Sequence, residues 1–89
     1  MEEKKEFAQW LRNEKKYSDR TISDTFSRIN RALNILPEEL NAIDRHYITN
    51  LEDEAEFNAL AVDRRSQIRR AIRQWIAFRD NRAVEQHYE

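Results

Sequence analysis

The 89 residues contain no glycine and a single proline, Pro37. Tight hairpins depend on residues that accept positive φ, chiefly Gly and Asn. A chain without glycine therefore has little means of folding strand back onto strand. Glu, Arg, Ala, Leu and Gln are plentiful instead, and all are good helix formers. Charged residues make up 37% of the chain, a proportion suited to solvated helix faces around a narrow core. The expectation is an all-α, compact orthogonal bundle of four to five helices. One domain over residues 1–89 is expected, since a single core usually serves about 100–150 residues. A domain of this size buries only about 60–65% of its unfolded surface. A deep catalytic cavity would compete with the core for the few large apolar side chains.

Hydrophobic period places the elements. Phe7, Trp10 and Leu11 share one face of a first helix over about Glu3–Lys15, with Glu2 and Glu3 near its dipole-positive start. Ser18 is positioned to cap a second helix, whose stripe is Ile22, Phe26, Ile29, Leu33 and Leu36. That helix must end before Pro37. Pro37 itself suits the first position of a short segment reaching about Ala42. Ile43, Tyr47, Leu51 and Ala55 recur every four residues and predict a further helix, with a break near Glu56. Asp63 is expected to cap a last helix to about Arg82. Its stripe is Ile68, Ala71, Ile72, Trp75, Ile76 and Phe78. Fraying is expected after Ala83. No heptad pattern is sustained, which excludes a long coiled coil.

The net charge of −1 hides a blockwise distribution. Lys15–Leu36 carries five basic and two acidic residues, Pro37–Asp63 one and eight, and Arg64–Arg82 seven and one. On the last helix Ser66, Arg69, Arg70 and Arg73 fall opposite the apolar stripe at i, i+3, i+4, i+7, with Arg65 flanking them. On the second, Arg20, Asp24, Ser27 and Arg31 share one side, with Arg28 beside them, and Lys15, Lys16, Ser18 and Thr21 gather at its start. Guanidinium forks on an exposed face suit phosphate oxygens. A solvated helix face balanced by residues 37–63 is the alternative reading of the same pattern. Arg79 and Arg82 point nearer the core stripe and are expected to snorkel or to stabilise the end of their helix.

Chemistry is sparse. Cysteine is absent, which removes disulfides, thiolate metal sites and a cysteine nucleophile. His46 and His87 lack any metal-ligand spacing, and Glu52–Glu56 lacks the glycine of a calcium loop. Glycine-dependent phosphate loops and nucleophile elbows cannot form. No cofactor is expected, and the chain is not expected to be an enzyme. The start Met1–Lys5 lacks the apolar stretch of a signal peptide, and no apolar run has the roughly 18 residues of a membrane span. A cytoplasmic location without membrane attachment is the expectation.

Phe7-x-x-Trp10-Leu11, Lys16-Tyr17-Ser18-x-x-Thr21-Ile22-x-x-x-Phe26 and Arg69-x-Ala71-Ile72-x-x-Trp75-x-x-Phe78 resemble the SAM-like N-terminal core-binding domain of phage-integrase-type tyrosine recombinases. The resemblance spans about Phe7–Arg79. It implies a helical bundle forming half of a clamp on double-stranded DNA. Lys16, Ser18, Arg20 and Thr21 would contact DNA from one helix start, and Arg65, Ser66, Arg69, Arg70 and Arg73 from the other helix. Arg31 extends the first basic face. The catalytic domain of such recombinases is absent, so the chain would be a fragment or a free-standing relative. The competing expectation is a charge-complementary module that binds protein or oligomerises.

Overall fold

The computed structural model describes residues 2–87, with side chains described for residues 3–81. It contains α1 (Glu2–Glu14), α2 (Asp19–Ile35), a 3-10 turn (Leu40–Ala42), α3 (Arg45–Glu52), α4 (Ala55–Asn58) and α5 (Val62–His87). The expected all-α bundle is the observed architecture, and no strand occurs among the described residues. At about 1.5 Å per residue, the 26 residues of α5 span about 39 Å. They account for most of the 43 Å longest dimension, so α5 is the spine against which α1, α2 and α3 lie.

Each boundary has a local cause. The α1–α2 connection is made without glycine. Lys16 adopts φ 58°, and the Tyr17 N–H returns to the Leu11 carbonyl at 3.2 Å. A left-handed residue bearing a Cβ costs about 1–2 kcal/mol. Ser18 caps α2 as expected, its hydroxyl accepting from the Thr21 N–H. α2 stops at Ile35, and the Leu36 N–H returns to the Ala32 carbonyl at 2.8 Å, just ahead of Pro37.

Several expected boundaries are corrected. Pro37 does not open a helix, and only Leu40–Ala42 is helical, as a 3-10 turn. The carbonyls there are claimed sideways by α5. Trp75 Nε1–H donates to Leu40 O at 2.8 Å. Arg79 donates to Leu40 O at 3.1 Å, to Asn41 O at 2.8 Å and to Ile43 O. The single helix expected from Ile43 to the break near Glu56 begins at Arg45 and ends at Glu52. The Asp44 carboxylate caps its start by accepting from the His46 and Tyr47 N–H groups. Asn58 Nδ2–H donates to the Glu52 carbonyl at 3.0 Å beyond its end. Ala55 thus leaves the stripe, exposed, and opens α4. Asp63 is not the cap of α5. The Arg65 N–H bonds to Ala61 O at 3.0 Å, which puts Asp63 within the first turn, where its charge still suits the dipole.

At the other end α5 outruns the expected stop at Arg82 and remains helical to His87. The fraying expected after Ala83 does not appear in the backbone up to His87. The side chains of Arg82 and His87, and Tyr88, lie outside the described residues.

The core lies where α1, α2 and α3 meet α5. Phe7, Leu11, Ile43, Leu51, Ile68 and Ile72 are wholly inaccessible, and Phe57 from α4 closes one end. Phe7 is the hub of an aromatic cluster, with ring centroids 5.2 Å from Trp75, 5.3 Å from Phe78, 5.5 Å from Phe26 and 6.2 Å from Trp10.

Tyr47 gives the core a pH signature. Its buried hydroxyl donates to the Leu36 carbonyl at 2.8 Å. Burial, with the Glu38 carboxylate nearby, pushes the phenol up from 10.0 to about 12. Because the folded value lies above the unfolded one, the protonated phenol's contribution is fully present below pH 10. It is lost as pH rises through about 12. Chemical unfolding as a function of pH should show a stability loss on the order of 2 kcal/mol across this window. Tyr47→Phe, less stable at neutral pH, should lose much less there. An equally steep alkaline fall in Tyr47→Phe would exclude the phenol as its cause.

Candidate functional site

α2 and α5 pack along much of their lengths, and two depressions run along their solvent-facing seam. Ser27, Arg28, Arg31, Arg64 and Gln67 line one of about 340 Å³, together with Asp24. Tyr17, Thr21, Arg28, Gln67, Arg70 and Gln74 line the other, of about 310 Å³. Arg28 and Gln67 belong to both, so the two form one trough. Four arginines from two helices face it, against the single carboxylate of Asp24. Among the described residues, none of Arg20, Arg28, Arg31, Arg64, Arg70 or Arg73 makes an ion pair within 4 Å. The acidic segment 37–63 therefore leaves the seam's positive charge unneutralised at contact distance.

The ten residues expected to contact DNA from two helices differ in their surroundings. Arg31 and Arg70 line the trough, and Thr21 contributes to its wall. Arg20 and Arg73 are exposed. Ser18 and Thr21 are engaged in the helix cap, their hydroxyl oxygens 3.0 Å apart. Lys16 is exposed, and its backbone makes the chain reversal. Ser66 accepts from Arg69 at 3.3 Å. Arg69 is not on an open face. It lies 3.8 Å from Glu52 Oε2 and 5.9 Å from the Phe57 ring centre, with only 22% of its side chain accessible. Arg65 is half-buried, and its Nε has no hydrogen-bond partner among the described residues. A helical wheel treats α5 as isolated. Once α5 docks, the flank carrying Arg69 turns towards α3 and α4, whereas Arg64, Gln67 and Gln74 border α2.

Those last residues and Tyr17 lie outside the set expected from the sequence. Their signal was the i, i+3, i+7, i+10 series Arg64, Gln67, Ala71, Gln74 flanking the apolar stripe. The series marks a flank, but which helix covers it depends on the fold. Arg79 likewise does not serve its own helix end. It holds the 3-10 turn, 36–39 residues away in sequence.

Among the described residues there is no group of three or more His, Cys, Asp or Glu able to hold a metal ion. No described helix is long and apolar enough to cross a membrane.

A family model described as "Lysozyme inhibitor LprI" matches residues 13–89. Comparisons with curated proteins and with solved structures return no match. The family match overturns the resemblance to tyrosine recombinases, and with it the reading as a DNA-binding, integration or recombination domain, or a recombinase fragment. Double-stranded DNA is withdrawn as the partner. The structure explains why the resemblance misled. Phe7, Leu11, Ile22, Ala71, Ile72, Trp75 and Phe78 are buried core, and Ser18 is a helix cap. The shared pattern describes how helices pack and cap, which carries no information about what the surface binds. The matching family is one of inhibitors, in keeping with the expectation that the chain is not itself an enzyme.

Proposed function

Because the chain belongs to the lysozyme inhibitor LprI family, we propose that its partner is a lysozyme and that the α2–α5 trough is the docking face. The observation that carries the assignment of the face is the set of unpaired arginines along it, Arg28, Arg31, Arg64 and Arg70. Lysozyme-type hydrolysis runs on two carboxylates flanking the scissile bond, one as acid and one as nucleophile. A row of guanidinium groups complements such a cleft in charge, and Arg pairs with carboxylates through two parallel hydrogen bonds. Inhibition follows from occlusion and neutralisation. The inhibitor fills the path of the glycan and clamps the acid and nucleophile in charge-paired states.

The scaffold favours this role. The arginines project from two long packed helices, so the backbone of the face is ordered before the partner arrives and less entropy is lost on docking. No acidic residue of 37–63 lines the trough, so the docking face keeps an excess of positive charge. That excess steers encounter.

The test is inhibition of a lysozyme by the chain and by the triple variant Arg28→Glu, Arg31→Glu, Arg64→Glu. The inhibition constant should rise at least about 100-fold in the variant, since breaking close interfacial charge pairs costs about 2–5 kcal/mol each. Circular dichroism should remain helical. Undiminished inhibition by the variant would remove the docking face but leave the partner. No binding or inhibition by the unaltered chain, across several lysozymes, would remove the partner as well.

A further inference from the structure

The Tyr17 end of the trough differs chemically from the rest. Tyr17, Thr21, Arg28, Arg70 and Gln74 surround it, over a floor of Thr25 and Ala71. No carboxylate lines this depression, whereas Asp24 lines its neighbour. Two arginines from different helices thus share one hollow with no counter-charge in it. Arg28 is half-buried there, so its charge is partly stripped of water while unpaired among the described residues. That is the environment in which an added anion gains most.

The neutral donors point to the same kind of ligand. The Tyr17 hydroxyl oxygen accepts from Gln74 Nε2–H, which leaves its own proton free to donate. Gln74 keeps its second amide proton, and Gln67 adds another amide to the wall. Thr25 is already engaged, donating to the Thr21 carbonyl at 2.8 Å. It contributes its methyl, with the Ala71 methyl and the Tyr17 ring, to the apolar part of the lining. The hollow therefore offers fork-shaped cations and neutral donors beside a carbon surface, and the oxyanion that fits is one attached to a carbon skeleton.

We propose that the depression bounded by Tyr17, Thr21, Arg28, Arg70 and Gln74 is a binding site for a small organic carboxylate. Arg28 and Arg70 take the charge, and Tyr17 and Gln74 orient it. The site shares Arg28 and Arg70 with the docking face but requires no lysozyme, so its test is separate from that of the face.

The test is a ¹H–¹⁵N NMR titration of the full chain with succinate, with inorganic phosphate and sodium chloride as separate arms, all at constant ionic strength. Succinate should produce saturable shifts centred on the side-chain amides of Gln67 and Gln74 and on the backbone of residues 70–74. Arg70→Gln, altering an exposed side chain, should keep the wild-type spectrum elsewhere and weaken succinate binding at least about tenfold. Arg64→Gln, at the opposite end of the trough, should change it less than twofold. Shifts reproduced by chloride, or lost equally in Arg64→Gln, would mean a diffuse seam potential and overturn the site. Phosphate binding as tightly as succinate would overturn the carboxylate assignment. An Arg70→Gln protein that binds succinate normally would overturn the role of the arginine pair.

Discussion

Replacing Arg79 with methionine should destabilise the protein by about 3 kcal/mol. The substitution keeps an unbranched, apolar stem but deletes every guanidinium donor. Arg79 donates to Leu40 O, Asn41 O and Ile43 O, and hydrogen bonds to charged groups contribute about 1.5–3 kcal/mol each. The losses are unequal. Leu40 O keeps the Trp75 indole donor, and the Asn41 bond is solvent-exposed, so water can replace it. The Ile43 carbonyl, on a residue with no accessible surface, is left without its donor from Arg79. Urea unfolding should register the full effect, with the melting temperature lowered by roughly 15 °C. Arg79→Lys should recover less than half, because an ammonium is a point charge and cannot span three carbonyls as a planar fork does. A loss below about 1 kcal/mol in Arg79→Met would reduce these bonds to ordinary surface contacts.

Phe7→Ala should be still more damaging, at about 3–5 kcal/mol. Its ring is wholly inaccessible and meets four other aromatic rings, from α1, α2 and α5. With Leu11 it supplies the fully buried part of α1. Deleting it leaves a cavity where three helices meet and loosens α1 from the bundle. A protein of this length is stable by only about 4–13 kcal/mol, so the variant stands close to unfolding at room temperature. The near-UV circular dichroism of the aromatic cluster should weaken before the far-UV helical signal does. Phe7→Leu should restore at least half of the loss by refilling most of the volume. Wild-type urea resistance in Phe7→Ala would place the stability of the bundle elsewhere.

The periodic features of the sequence carried over well to the structure because they report local constraints. The stripes of α2 and α5, the Ser18 cap and the stop before Pro37 depend on residues within a few positions of one another. The misread features depend on partners far along the chain. Pro37 looked like a helix start, but the carbonyls of the following turn answer to Trp75 and Arg79. Arg69 looked like part of an open face, yet Glu52 and Phe57 border it. The site was legible as charge and illegible as shape. The excess of arginine on α2 and α5 was plain, whereas the trough that gathers Arg28, Arg31, Arg64 and Arg70 exists only after the two helices meet. The partner is not legible because the pattern shared with the recombinase domain consists largely of residues packed in the core, which are shared by bundles of unrelated purpose.

The position of Arg79 in the chain also orders events during synthesis. Residues 40–43 can be fixed only when Trp75 and Arg79 reach them. Until α5 emerges, the apolar faces of α1, α2 and α3 lack the spine that covers them. At about 5–20 residues per second, roughly 2–7 s separate the synthesis of residue 43 from that of Arg79. The bundle closes only at the end of that interval, so the nascent segment spends it with its hydrophobic faces open to chaperones.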